Sequence, residues 1–311
     1  MGTTRFSYCR FLQFVRAVLA IVAPVALLLN AASASTTKVI YSFAGGNDGE
    51  YLDTDLVIDS AGNLYGSTVQ GGKHGSGTVF QLVPSGTGWT HTVLYSFTGG
   101  ADGGEPYKGV TLDAEGNLYG TAVTGGGGSC EGGCGVVFKL TKSGGNWTQT
   151  VIHQFTGGKD GSGPGSGLTF DQHGNLYGVT PTGGAYGLGV VYRLHRVNGS
   201  WRLNVIHAFT GGDDGSSGSA GRLIFDHAGN IYGVTTVGGA HGDGVVFEIT
   251  HTGGTWTLVP LYAFKDKPDG ALPYGGLIFD EAGNLYDTTY YAGAHDVGTV
   301  YKLTPRQRRM E

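Results

Sequence analysis

The sequence predicts an all-β fold: a five-bladed β-propeller built from four-stranded antiparallel blades. Three observations predict it. Glycine makes up 60 of 311 residues, about 19%, against a usual level near 7%. The motif Asp-x-x-Gly-Asn-(Leu/Ile)-Tyr occurs five times, and aromatic residues recur at fixed offsets from it. Glycine at this level disfavours helix, at roughly 1 kcal/mol per interior position. Nine prolines and no three-residue glycine period exclude collagen. A hydrophobic content of 40% is too high for a disordered chain. What remains is a chain of many short strands and tight turns.

Residues 1–34 form the first element. Arg5, Arg10 and Arg16 precede an apolar run from Ala17 to Leu29, and Ala32-Ser33-Ala34 follows. This is the three-part pattern of a secretory signal peptide, with cleavage expected near Ala34–Ser35. An uncleaved anchor is the competing reading, disfavoured because the run is short for a membrane span. The expected location is therefore extracellular or periplasmic, with membrane contact only during export. Removing three of the 19 basic residues leaves 16 against 24 acidic ones, a net charge of −8. That balance argues against nucleic acid as a partner. Cys9 leaves with the signal, and Cys130 and Cys134 remain. In an oxidising compartment this close pair reads as a local disulfide. A zinc half-site would need two further ligands, and none lies nearby in sequence.

The repeats follow. Their Gly-Asn pairs begin at Gly62, Gly116, Gly174, Gly229 and Gly283, spaced 54, 58, 55 and 54 residues apart. Phenylalanine recurs at Phe43, Phe97, Phe155, Phe209 and Phe264, and Trp89, Trp147, Trp201 and Trp256 each stand eight residues before one of the last four. Another aromatic, at Phe80, Phe138, Tyr192, Phe247 and Tyr301, stands nine residues before each tryptophan slot. In the second repeat, strand A is expected at Gly109–Asp113, B at Asn117–Val123, C at Gly135–Thr141 and D at Asn146–Phe155. Asp113-Ala-Glu-Gly116 has hairpin chemistry: a side-chain acceptor, then a glycine free to take positive φ. Strand C alternates, with Val136, Phe138 and Leu140 on one face. Four such strands per repeat are a propeller blade.

Residues 35–311 thus form one domain with units at about 53–97, 107–155, 165–209, 219–264 and 274–304. The last unit ends after strand C. Residues 37–43 match a lone strand D, so pairing them with the last blade would close the ring and remove an exposed edge. Met310 falls in the next tryptophan slot. A monomer is expected.

An up-down meander puts A–B and C–D turns on one face and B–C and D–A loops on the other. The second face holds the longer, more variable loops, where function tends to sit. Its D–A loops carry Asp48, Asp102, Asp160, Asp214 and Asp269, each followed by glycine. Pro106, Pro164 and Pro273 follow four residues after three of them, with Tyr107 and Tyr274 next. Such a ring of carboxylates could take Ca²⁺ or sugar hydroxyls. Turn-making is the preferred reading, because the motif recurs in every blade without the spacing of a calcium loop. The B–C loops carry His74, Tyr186, His241 and His295 at matching positions, as ligand contacts or as solvated loop residues. His153 and His207 replace a tyrosine of strand D and read as packing residues, and the tryptophans read as interblade packing. The longer B–C loop of the second repeat holds both cysteines.

The strings Gly116-Asn-Leu-Tyr-Gly-Thr121, Gly135-Val-Val-Phe-Lys-Leu140 and Tyr95-Ser-Phe-Thr-Gly-Gly100 resemble the GloVer tandem repeats of bacterial extracellular "choice-of-anchor" proteins. The resemblance covers nearly the whole chain after residue 34. It implies export, with or without surface display, and brings no enzyme activity or catalytic residue with it. The final segment, Arg306-Gln-Arg-Arg-Met-Glu311, departs from the pattern in having no apolar anchor, which points to release.

Three functional readings stand. The first is a secreted, non-enzymatic module binding a glycan or a protein through the B–C/D–A face. The second is a carbohydrate-active hydrolase or lyase using acids that break the repeat, such as Asp53, Glu105, Asp287 and Asp296. Asp287 stands where the other blades have Gly66, Gly120, Gly178 and Gly233. The third is a purely structural surface module. No catalytic motif is present, no cofactor beyond Ca²⁺ is suggested, and the chain leans away from an enzyme. The discriminator is asymmetry: one deep axial pocket with unmatched acids favours the enzyme, and similar shallow pockets favour binding.

Overall fold

The computed structural model describes residues 37–218 and 221–304. The expected signal segment, its cleavage point and the tail from residue 305, with Met310, lie outside them. Five antiparallel sheets surround an axis, giving a five-bladed propeller. Blade 1 holds β1 (Val57–Ile58), β2 (Leu64–Thr68), β3 (Thr78–Ser85) and β4 (Gly88–Ser96). Blade 2 holds β5 (Val110–Leu112), β6 (Leu118–Ala122), β7 (Val136–Ser143) and β8 (Asn146–Gln154). Blade 3 holds β9 (Thr169–Phe170), β10 (Leu176–Thr180), β11 (Val190–Val197) and β12 (Ser200–Ala208). Blade 4 has five strands: β13 (Ser216–Gly218), β14 (Ile224–Phe225), β15 (Ile231–Val237), β16 (Val245–Thr252) and β17 (Thr255–Ala263). Blade 5 holds β18 (Ala271–Pro273), β19 (Ile278–Phe279), β20 (Leu285–Tyr291) and β21 (Thr299–Leu303).

The recurring motif is a side-chain knot. In blade 2, Asp113 Oδ1 accepts from the backbone N–H groups of Glu115 (3.1 Å) and Asn117 (2.8 Å). Its Oδ2 accepts from Asn117 Nδ2 (2.7 Å) and the Tyr119 hydroxyl (3.1 Å). Gly116 turns the chain at φ 80°. Asp59, Asp171, Asp226 and Asp280 repeat these bonds. Each knot locks its A–B hairpin, and in blades 1 to 4 the tyrosine it holds packs against the next blade. Across the sheet, Gly120 pairs with Phe138, and a Cβ there would lie 2.5 Å from the Phe138 ring.

Four hydrophobic cores each span two neighbouring blades. Phe97 packs against Phe138 with ring centroids 5.0 Å apart, Phe155 against Tyr192 at 5.3 Å, and Phe264 against Tyr301 at 5.0 Å. The tryptophans close the outer part of the same seams, as Trp147 on Tyr65 and Trp201 on Tyr119. This is the interblade packing expected of them.

Two features depart from the expected pattern. First, the D–A loops do not simply cross the face. They bridge to the ends of the B strands at Glu50–Gln70, Gly104–Thr124 and Ser162–Thr182, and lengthen into β13 and β18 in blades 4 and 5. Second, Thr37–Phe43 forms no strand, and β21 pairs with β20 alone among the described residues. Closure of the ring by strand pairing is therefore not observed. The end of this segment is held by blade 1 instead, where the Phe43 ring lies 5.0 Å from that of Phe80.

Candidate functional site

Asp102, Asp160 and Asp214 are held by their own loops, Asp48 also pairs with His91 of blade 1 at 3.0 Å, and Asp269 leaves its buried Oδ1 without a partner. Asp102 accepts from the Tyr95 hydroxyl (2.8 Å), the Thr98 N–H (3.0 Å) and the Thr98 hydroxyl. Tyr41–Asp48 (2.6 Å), His153–Asp160 (3.1 Å), His207–Asp214 (2.8 Å) and Tyr262–Asp269 (2.5 Å) repeat the latch. His153 and His207 thus stand in for the tyrosine. Burial would raise the Asp102 carboxyl, but the bonds from Thr98 and Tyr95 outweigh it and hold it below the usual range. Three residues after each aspartate, the chain takes positive φ at Tyr51, Glu105, Gly163, Ser217 and Leu272. There the backbone N–H of Glu105 reaches Ser76 O in the preceding blade (2.9 Å), and those of Gly163, Ser217 and Leu272 reach Cys134 O, Leu188 O and Asp243 O. The loop is a turn that stitches blades together. His74, Tyr186, His241 and His295 are all exposed at the B–C loop tips, one to a blade. Tyr107 is half-buried, and the exposed Tyr274 packs edge-on to Tyr290 at 5.8 Å. The Cys130–Cys134 disulfide is formed, with Cα atoms 5.1 Å apart.

The centre of the ring is spanned by Arg222 of blade 4. Its guanidinium donates to Leu168 O (2.6 Å) in blade 3 and to Lys108 O (3.3 Å) and Val110 O (3.1 Å) in blade 2. Its Nε pairs with Asp55 Oδ2 of blade 1 at 3.2 Å. Gly167 makes room, because a Cβ there would lie 2.6 Å from Arg222 Cγ. Blade 5 approaches the neighbouring Gly221, where a Cβ would meet Gly275 O at 1.9 Å.

The repeat-breaking acids occupy separate settings. Asp53 pairs with Lys108 at 2.8 Å, and Asp296 with Lys267 at 2.5 Å. Glu105 is the stitch residue already described. Asp287 is buried inside blade 5, where the Tyr301 hydroxyl donates to it at 3.3 Å. Burial pushes its carboxyl above the ordinary range. Its equivalent in blade 3 is Gly178, and there the Tyr192 hydroxyl has no partner. Asp287 therefore answers a tyrosine hydroxyl in the core. Among the described residues, no three His, Cys, Asp or Glu side chains are grouped to hold a metal.

Two clefts lie on the A–B/C–D face, and a smaller hollow of about 220 Å³, lined by Tyr262, Phe264, Asp269 and Tyr301 among others, lies between blades 4 and 5. A cleft of about 400 Å³ separates blades 3 and 4, with Tyr177, Arg193, Phe225, His251 and Trp256 among its lining. The Tyr177 and Phe225 rings meet edge-on at 5.1 Å, and His251 stacks on Trp256 at 4.2 Å. A second cleft of about 450 Å³ lies between blades 2 and 3. There Lys139 lies 5.3 Å from the Tyr119 ring and Arg196 lies 4.6 Å from Trp201. Phe170, Asp171 and His173 line both clefts, so the two are contiguous. The repeat held the signal for this site. The knot aspartate, its tyrosine and the tryptophan recur in phase, but only the stacking of blades shows that neighbouring repeats frame one cleft.

The Gloeobacter/Verrucomicrobia repeat model matches residues 28–202 and again residues 127–311. The chain belongs to this repeat family. No curated protein matches the sequence. Among solved structures, a protein of unknown function from Dyadobacter fermentans is similar at 10% identity with a TM-score of 0.50, over 80% of this chain and 78% of that one. An endo-arabinase from Bacteroides thetaiotaomicron is similar at 13% identity and a TM-score of 0.43, over 85% and 97% of the two chains. A protein from Lactobacillus plantarum is similar at 14% identity and a TM-score of 0.46, over 79% and 68%. At these identities a likeness bears on the fold alone. Among the described residues of this repeat protein, no helix is long and apolar enough to cross a membrane.

Proposed function

We propose that this repeat protein is a secreted, non-enzymatic glycan-binding module, and that it binds through the clefts between its blades. One observation carries the reading: Arg222 spans the centre of the ring, and two adjoining clefts lie between blades 2, 3 and 4. A glycosidase needs two carboxylates a few ångströms apart on either side of the scissile bond. The central guanidinium, tied to three backbone carbonyls, disfavours that arrangement on the axis. Aromatic faces framed by polar side chains suit a sugar ring, which is apolar above and below and polar at its rim. Adjacent clefts suit a polymer, because two weak sites on one ligand reinforce each other. Export is supported by the pattern of residues 1–34 and by the Cys130–Cys134 disulfide.

A glycan array probed with the purified protein tests this, with and without calcium. Binding is expected, independent of calcium and lost in Trp201→Ala and Trp256→Ala. Loss of binding on removing calcium, or in Asp102→Ala with the fold intact, would move the site to the opposite face. Turnover of a polysaccharide that stops in Asp287→Asn would overturn the non-enzymatic reading.

A further inference from the structure

We infer that the cleft between blades 3 and 4 takes an anionic glycan, one whose sugar rings carry carboxylate groups. This rests on the glycan-binding reading and specifies its ligand. Arg193 pairs across the ladder with Tyr177, so its side chain shares the face that looks into the cleft. Its Nε is buried and has no hydrogen-bond partner. A buried donor left unmade is costly, and a shift of the guanidinium towards the cleft would let an incoming acceptor satisfy it. The acids in the lining do not compete for it. Asp171 accepts from the His173 and Asn175 N–H groups, from Asn175 Nδ2 and from the Tyr177 hydroxyl. Asp226 is saturated in the same way by Ala228, Asn230 and Tyr232. The knots therefore hold their charge against backbone donors, and the cleft presents donors to a ligand. In the adjoining cleft Lys139 and Arg196 stand beside Asp113 and Glu115. The contrast along the ring is informative. Arg193 occupies the repeat position of Gln81, Lys139, Glu248 and Lys302, and in blade 4 Glu248 accepts from the Tyr232 hydroxyl instead. Asp171 and Asp226 leave this cleft without net positive charge, so Arg193 acts on a ligand through directed hydrogen bonds and not through a positive field. A guanidinium recognises a carboxylate through parallel N–H···O bonds, which an ammonium cannot reproduce.

Affinity electrophoresis through polygalacturonate and through neutral dextran reads the inference, with titration calorimetry for dissociation constants. Polygalacturonate is expected to retard the protein and dextran to leave it unretarded. Arg193→Gln should weaken binding at least tenfold, and Arg193→Lys should recover only part of it. Equal retardation by both polymers, lost in Trp256→Ala, would keep the glycan reading and overturn the anionic one. Retardation by neither would overturn both, and binding unchanged in Arg193→Gln would remove this cleft from the argument.

A second inference stands on the seam between blades 5 and 1 and needs no ligand. We infer that Tyr41–Phe43 adds to β21 and shuts the ring. The other four seams act as internal controls. Val79, Val137, Val191 and Val246 are fully buried, whereas their equivalent Val300 is 80% exposed. On the facing side Leu56 is 51% exposed, against 1–3% for Val110, Leu168, Leu223 and Leu277. The closing segment is already seated at its far end. Tyr41 makes the latch to Asp48, and Phe43 meets Phe80 at the 5.0 Å of the Phe97–Phe138 pair. The ladder of blade 1, with Thr78 opposite Ser96 and Val79 opposite Tyr95, then places Ser42 opposite Thr299 and Tyr41 opposite Val300.

The double variant Ser42→Cys/Thr299→Cys tests this, because antiparallel partners lie within disulfide range. Thr78→Cys/Ser96→Cys is the positive control. An internal disulfide is expected. A disulfide-linked dimer would show that a second copy fills the seam, and free thiols would show that it stays open; either overturns closure. In the unmodified protein, hydrogen exchange at the Val300 amide should be slow, and exchange at the unprotected rate would overturn closure as well.

Discussion

Replacing Arg222 with methionine should unpin the centre of the ring. Three backbone carbonyls, Leu168 O, Lys108 O and Val110 O, lose a charged donor. Hydrogen bonds to charged groups are worth about 1.5–3 kcal/mol each when well shielded. The Arg222 side chain is 23% exposed, so water can re-bond part of what is lost. The ion pair adds at most about 1 kcal/mol, because its partner Asp55 is 61% exposed. The net cost is then about 3 kcal/mol, a fall in Tm of roughly 6–12 °C for a domain of this size. Thermal unfolding followed by circular dichroism measures it. Arg222→Lys should recover only part of the loss, since an ammonium cannot fork to carbonyls of two blades. Gly167→Ala should resemble Arg222→Met, because its Cβ would displace the arginine stem. A fall of less than about 2 °C in Arg222→Met would refute the reasoning, for it would mean that solvent replaces the plug without loss.

Other outcomes follow from the same structure. Asp287→Asn should raise Tm near neutral pH, because burial raises the Asp287 carboxyl and ionising it opposes folding; a lower Tm would show that the charge is paired. Reducing the Cys130–Cys134 bridge should cost about 2 kcal/mol by the loop-closure argument for so short a loop, read as a lower Tm in reductant. Acid should unfold the protein through its knots. In Asp280 the Asn284 side-chain amide and then the Asn284 N–H hold the carboxyl down to about 2. The ordinary unfolded value is about 3.9, so the unfolded chain binds more protons, and stability falls as pH drops from about 4 towards 2. Titration in urea at fixed pH steps checks this, and a midpoint unchanged between pH 5 and pH 2.5 would contradict it.

Much of the fold could be read from spacing, because each blade is stabilised by residues close in sequence. The Asp113 acceptor and the positive φ of Gly116 are both local, and turn chemistry anticipates them. The Tyr119 hydroxyl bond to Asp113 was not anticipated, although tyrosine six residues after the aspartate recurs in every repeat. The latch partners were legible in the same way: Tyr41, Tyr95, His153, His207 and Tyr262 all precede their aspartates by seven residues. Asp102, Asp160 and Asp214 accept from the backbone N–H of the threonine four residues earlier, as turn chemistry anticipates. Loop length and variability pointed to their face, and the two clefts between blades 2, 3 and 4 open on the other. Loops on the variable face bond to one another across blades, while hairpins on the opposite face frame clefts between blades.

The sequence by itself determined the all-β class, the number of blades, the hairpin turns and the pairing of Cys130 with Cys134. Those depend on periodicity and on contacts within a few residues, which a linear string records. Only the tertiary structure decided that Arg222 spans the centre, since its partners lie 54, 112, 114 and 167 residues away. Only it set Asp287 against Tyr301 and joined the lining of two clefts from three blades. Such groups meet through the curvature of the ring, and curvature is set by how whole blades pack, a property that no single repeat contains.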